Sequence, residues 1–153
     1  QLALRRRGRV EGVLPGFGPA WQFRLAPIRM EPGQQHDARD GDRTQVAAVF
    51  VNRLRSGMLL QTDPTVIYGL GERFDGNLRK RDLVADTPYN TYTRPGLPPT
   101  PIAMPGMASV QAALHPADSD ALYFVARGDG SSQFSRSLDE HNRAVNKYQR
   151  GGQ

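Results

Sequence analysis

At 153 residues the chain fits one ordinary domain with a single core and is too short for two full ones. A hydrophobic fraction of 38%, a mean hydropathy of -0.57 and the lack of any long apolar run exclude a membrane span in this stretch, and zero cysteines remove disulfides, thiolate catalysis and Cys-based zinc sites. The net charge of +5 suits an anionic polymer, a nucleic acid, an anionic membrane surface or a merely solvated surface, and selects none of them.

Residues 1–41 are rich in Arg, Gly, Pro and Gln, and Pro15, Pro19, Pro27 and Pro32 follow one another too closely for a helix of normal length. This stretch is expected to be irregular. Arg5, Arg6, Arg7 and Arg9 lead into Gly, Pro and Glu rather than an apolar run, so no export signal is read here.

At Asp42 the pattern changes. Asp42 with Gln45 reads as a capping box, and Val46, Val49, Phe50 and Leu54 recur at helical spacing, which predicts a helix over 43–56 stopped at Gly57. Asp63-Pro64-Thr65 offers an N-cap followed by a first-turn proline, so a short helix is expected over 65–70, ended by Gly69 and Gly71. Residues 72–105 carry Pro88, Pro95, Pro98, Pro99, Pro101 and Pro105 around the island Tyr89-Asn90-Thr91-Tyr92, which predicts one long, stiff loop.

A further short helix is expected over 108–114, ended by His115-Pro116. The branched and aromatic run 121–126 reads as a buried strand, residues 127–132 as a turn and 133–135 as the return strand of a hairpin. Ser137 with Glu140 makes a second capping box, opening a helix through Tyr148. The expected fold class is α+β, with short helices packed around a small antiparallel sheet and a long Pro-rich loop.

Among the acidic residues, Glu31, Asp63, Glu72, Asp75 and Glu140 stand where catalysis is conceivable. Asp63 and Glu140 are equally well placed as helix caps, and Glu72 and Asp75 flank Gly76 in a turn. Glu31 sits near Leu25, Ile28 and Met30, a partly apolar setting of the kind that raises a carboxyl pKa as a general acid requires, while its irregular segment favours a plain solvated carboxylate. His36, His115 and His141 show no metal-ligand or triad spacing, and no metal or cofactor is implied.

Gln61, Thr62, Thr65, Asn90, Thr91 and Tyr92 give a different signal. Neutral amides and hydroxyls satisfy sugar hydroxyls, and tyrosine rings offer a flat face to a pyranose. The same Tyr89 and Tyr92 would also serve to staple the Pro-rich loop onto the core. Aromatics do not alternate with Lys and Arg in one strand, so nucleic acid is not an expected partner.

Read as a string, Val46-Ala47-Ala48-Val49-Phe50-Val51-Asn52-Arg53-Leu54, then Met58, Leu60 and Gln61-Thr62-Asp63-Pro64-Thr65-Val66-Ile67-Tyr68-Gly69, resembles the YceG-like endolytic murein transglycosylases. The likeness continues through Pro88 to Tyr92, Gly96-Leu97-Pro98-Pro99, Pro101-Ile102, His115-Pro116-Ala117, Leu122 to Val125 and His141-Asn142. It spans residues 42–148, which sets residues 42–150 apart as the expected catalytic domain and 1–41 as a poorly matching segment.

The resemblance implies a bacterial enzyme of cell-wall biogenesis that acts on nascent peptidoglycan at the extracytoplasmic, periplasmic face of the inner membrane, near the penicillin-binding synthases. The membrane anchor and LysM-like domain of such proteins are not in this sequence. The implied reaction cleaves the MurNAc-GlcNAc bond without water and leaves a 1,6-anhydromuramyl end, so one carboxyl group suffices, whereas a hydrolase needs two set roughly 5 to 9 Å apart. Substrate binding is assigned to Gln61, Asp63, Thr65, Tyr89, Asn90 and Tyr92.

For the acid, the family has Glu on a helix in a stretch resembling Ile-Val-Glu-Lys-Glu-Thr-Gly. Here Leu25-Ala26-Pro27-Ile28-Arg29-Met30-Glu31-Pro32-Gly33 keeps one Glu and the Gly, but has Arg29 where the first Glu would fall and prolines that break a helix. Glu31 is the assigned catalytic residue, in what reads as a truncated or impaired copy. The alternative is a non-catalytic peptidoglycan-binding module.

Overall fold

The computed structural model describes residues 40–150. Helix α1 (Asp40–Arg55) turns Ala48, Val49, Val51 and the stem of Arg53 into the core. Its end follows from Gly57, whose φ of 70° lets the Gly57 and Met58 N–H groups return to the carbonyls of Leu54 and Arg53, satisfying groups that a helix terminus otherwise leaves open. Helix α2 (Asp63–Leu70) starts with Pro64 in its first turn and ends at Gly71, with φ of 55°, leading into a 3-10 turn, Gly71–Arg73.

The stretch expected to be one long loop is interrupted by a further helix, α3 (Lys80–Val84). Asp82 Oδ2 accepts from the Arg79 N–H at 2.8 Å and so closes its first turn. Five residues hold too little periodicity to be read as a helix in advance. Pro-rich chain then leads to α4 (Met107–Leu114).

Strands β1 (Tyr123–Ala126) and β2 (Ser132–Ser135) form the antiparallel hairpin, with Phe124 opposite Phe134. Gly128 and Gly130 take positive φ in its turn, which only glycine adopts freely. Helix α5 (Leu138–Val145) opens with the Ser137 Oγ accepting from the Glu140 N–H, as the sequence implies, while the Glu140 carboxylate takes the Arg136 N–H one residue upstream of the expected partner. After Val145 the helix widens into a π turn, Asn146–Arg150.

Helix α1 packs on α4 and β1, α5 covers both strands, and α2 lies against α3. The architecture is α+β, with five helices around a two-stranded antiparallel sheet among the described residues. Two side chains of α1 tie it to the segment that leads into the hairpin. Asn52 donates to the carbonyls of Ser119 and Ala121 at 2.7 and 3.0 Å, and Arg53 Nε donates to that of Leu122 at 2.6 Å.

Asp42 was expected to cap α1. The helix instead begins earlier, at Asp40, and the Asp42 carboxylate accepts from the Ser132 N–H at 2.6 Å, pinning the return strand. A long-range bond to a backbone donor outcompetes the local cap here. Among the described residues, no helix is long and apolar enough to cross a membrane.

Candidate functional site

The site residues come together because residues 89–92 run back along α2. Thr91 is the seam: its carbonyl takes the Gln61 N–H at 3.1 Å, and its hydroxyl takes the Thr62 N–H at 3.0 Å and lies 2.8 Å from the Thr65 hydroxyl. Thr65 Oγ1 in turn donates to the Thr62 carbonyl at 2.7 Å. Thr65 and Thr91 are buried, so this hydroxyl cluster is internal and fully engaged.

At the N-terminal end of α2, the Tyr92 hydroxyl donates to Asp63 Oδ1 at 2.5 Å. Burial, with the Asp63 carboxylate beside it, pushes the Tyr92 hydroxyl well above the usual tyrosine range. Asp63 was read as the N-cap; Thr62 occupies that position, with extended backbone, and Asp63 is the first helical residue. Its side chain is exposed and free to serve Tyr92.

Gln61 is exposed and takes a φ of 51°, the sole non-glycine residue with positive φ among the described residues. Such backbone is costly for a residue with a Cβ and persists only where its surroundings hold it. Here the Thr91 carbonyl holds the Gln61 N–H, and the side chain is left facing solvent beside the Asp63–Tyr92 pair.

Asn90 behaves differently from its neighbours. It is 0% exposed; its amide donates to the carbonyls of Leu83 and Ala85 at 3.0 and 2.7 Å, and its Oδ1 accepts from the Tyr92 N–H at 2.8 Å. Its hydrogen-bonding capacity is spent on holding α3 and the loop in register. Tyr89 reaches the Thr100 hydroxyl at 2.9 Å, and its ring lies 4.8 Å from that of Tyr68. Asp86 and Arg94 brace the loop with paired contacts of 2.7 and 2.9 Å, and the Arg94 guanidinium holds the Asp86 carboxyl below its usual range.

Behind this wall lies Arg53, which sequence reasoning took only as part of a string. Its guanidinium is buried, donates to the carbonyls of Leu60 and Leu59 at 2.9 and 3.3 Å besides that of Leu122, and lies 5.0 Å over the Tyr123 ring. Burial lowers its pKa, offset in part by the nearby Tyr123 and Tyr92. The signal that could have found it is an Arg in the apolar stripe of a helix, which has to find acceptors inside.

The remaining candidates have structural partners. Asp75 accepts from Arg79 and from the Asn77 N–H, and the Arg79 contact lowers its pKa. Glu140 caps α5, Glu72 is exposed on the 3-10 turn, and His115 ends α4. His141 stacks on Tyr123 at 5.3 Å, and burial followed by the Arg53 charge lowers its pKa. Glu31 and His36 lie outside the described residues.

A cavity of about 700 Å³ opens elsewhere, lined by Asp42, Asp120, Phe134, Arg136 and Glu140 among others. Its carboxylates are already engaged: Asp42 by Ser132, Asp120 by Arg136 at 2.7 Å and Glu140 by the Arg136 N–H. The wall along α2, with its exposed Gln61 and Asp63 beside the half-buried Tyr89 and Tyr92, is therefore the better candidate.

Comparison with known proteins agrees with the string read above. The YceG-like family model matches residues 34–147. The chain is 50% identical over 115 residues to an endolytic murein transglycosylase of Bacillus subtilis, covering 75% of this chain and 32% of that protein. It is 32% identical over 117 residues to an endolytic murein transglycosylase of Streptococcus pneumoniae, covering 73% of this chain and 21% of that protein. In three dimensions it is similar to the crystal structure of a YceG-like protein from Listeria monocytogenes, with a TM-score of 0.64 and 43% identity over 82% of this chain and 37% of the other. The chain thus spans a third or less of the length of the curated relatives it matches. With a family match across most of its length, this chain belongs to the YceG-like family.

Proposed function

We propose that residues 42–150 form the catalytic domain of an endolytic murein transglycosylase, and that the wall along α2 holds a glycan strand of peptidoglycan. The observation that carries this reading is Gln61, exposed in strained backbone and fixed by Thr91 next to the Asp63–Tyr92 pair. Strain kept at an exposed polar side chain is characteristic of binding sites. The names of the relatives from Bacillus and Streptococcus support the substrate class.

In this reading Gln61, Asp63 and the edges of Tyr89 and Tyr92 contact sugar hydroxyls and acetamido groups. Thr65 and Asn90 act from behind, holding these groups in place. Glu31 is the proposed general acid. It gives its proton to the glycosidic oxygen between MurNAc and GlcNAc, and the resulting carboxylate takes the proton of the muramic C6 hydroxyl as that oxygen attacks C1. The C1–O bond to the leaving sugar breaks, the C6–O–C1 bridge forms, and no water is consumed. The proposal extends to a longer protein anchored at the extracytoplasmic face of the inner membrane, working beside penicillin-binding synthases.

The test is mass spectrometry of purified glycan strands incubated with this chain and with Glu31→Gln. Anhydromuramyl products that disappear in the variant support the assignment. Products that persist in the variant remove Glu31 from the mechanism. Glycan binding with no products from either protein replaces the enzyme reading with that of a non-catalytic peptidoglycan-binding module.

A further inference from the structure

Tyr68 belongs to none of the residues assigned to the wall, yet it is a large aromatic left 46% exposed on α2. It lies at the opposite end of that helix from Asp63, roughly 7.5 Å further along the axis. Because residues 89–92 run back along α2, each end of the helix meets a tyrosine of the loop: Tyr92 bonds Asp63, and Tyr89 packs against Tyr68 with ring centres 4.8 Å apart and planes at 56°.

The Tyr68–Tyr89 pair is held from several sides. The Tyr89 hydroxyl is tied to the Thr100 hydroxyl at 2.9 Å, which fixes the ring against rotation out of the wall. Gly69 allows residues 87–89 to press onto the helix, since a Cβ there would lie 2.7 Å from Thr87 Oγ1 and 3.4 Å from Tyr89 Cβ. An aromatic pair fixed before any ligand arrives gives contact area at little cost in conformational freedom. The buried residues of α2 are Thr65 and Val66, so the helix reaches the core without the exposed part of the Tyr68 ring.

We infer that Tyr68, with Tyr89, forms a second sugar platform on the wall, displaced along α2 from the one at Gln61, Asp63 and Tyr92. The ligand class is the apolar face of a pyranose within a polymer, so the platform reads glycan length rather than the identity of a single sugar. This inference rests on the glycan-binding reading above and deepens it: one end of the wall supplies polar contacts to one ring, the other supplies a stacking surface to another ring of the same strand.

The test compares the full chain with Tyr68→Ala, Tyr68→Leu and Tyr68→Phe, titrated calorimetrically with a short and a long β-linked N-acetylglucosamine oligomer. Circular dichroism confirms that each variant is folded, and Tyr68→Leu retains apolar cover for Tyr89 if the alanine variant is not. The expected result is that removing the ring weakens binding of the long oligomer about tenfold, leaves the short oligomer unchanged, and is rescued by Tyr68→Phe. Wild-type binding that does not strengthen with length, or equal affinity of folded Tyr68→Leu and wild type for the long oligomer, overturns the second platform and leaves the wall standing. No binding of either oligomer by the wild-type chain overturns the wall and the platform together.

Discussion

The Tyr92 hydroxyl and the Asp63 carboxylate meet at 2.5 Å across 29 residues of sequence, joining the Pro-rich loop to the first turn of α2. The bond is charge-assisted but lies at the surface, so Tyr92→Phe is expected to lower stability by about 1 kcal/mol in chemical denaturation. The same contact sets a pH dependence. Tyr92 titrates above its ordinary 10.0, so past that pH the unfolded chain releases the proton before the folded one and stability falls as pH rises. Tyr92→Phe should show a shallower alkaline slope than wild type; equal slopes would place the titration elsewhere.

His141 gives the opposite dependence. Its pKa lies below the ordinary 6.5, so as pH falls through that value the unfolded chain takes up the proton first and stability drops. His141→Phe keeps a ring on Tyr123 and is expected to flatten the melting temperature between about pH 7 and 5 relative to wild type. Thermal melts across that range check it.

For Gln61 the expectation is a split between folding and binding. Gln61→Gly relieves the positive φ and should hold or raise stability by up to about 1 kcal/mol, while glycan affinity falls. A variant that loses stability and binding together would show that Gln61 is a structural residue.

Asn90→Ala removes three internal hydrogen bonds from a fully buried side chain and is expected to cost about 2–4 kcal/mol in urea melts. Asn90→Asp should be no better, because a carboxylate cannot donate to the carbonyls of Leu83 and Ala85.

Arg53→Met is expected to destabilise by about 3 kcal/mol, since the carbonyls of Leu60 and Leu122 lose their donor within the core. Arg53→Lys should recover only part of this, as an ammonium group lacks the fork that reaches separate acceptors. Full recovery in denaturant melts would mean that charge rather than geometry matters.

The main helices and the hairpin were legible because their signals are local: apolar spacing from Val46 to Leu54, Pro64 in a first turn, glycines at 57, 128 and 130. Helix α3 was not, being short and set among prolines and glycines. The roles of Asp42 and Asp63 were misjudged for one reason. A carboxylate near a helix start reads as a cap, but Asp42 serves Ser132 and Asp63 serves Tyr92, partners 90 and 29 residues away that no short pattern reports. Likewise the polar and aromatic composition from Gln61 to Tyr92 was visible, whereas the inward turn of Asn90 and the exposed ring of Tyr68 depend on how residues 89–92 lie against α2.

Arg53 also constrains the order in which this domain can assemble. Its charge finds acceptors only when residues 59–60 and residue 122, separated from it by up to 69 positions, have both arrived. An intermediate with α1 packed but the hairpin absent would bury a guanidinium short of partners, so half-built states are disfavoured and the transition should be all-or-none. Distant closure of this kind slows folding, and it makes the wall along α2 inherit the hairpin's integrity: substitutions at the far end of the chain will be felt at Gln61 without touching it.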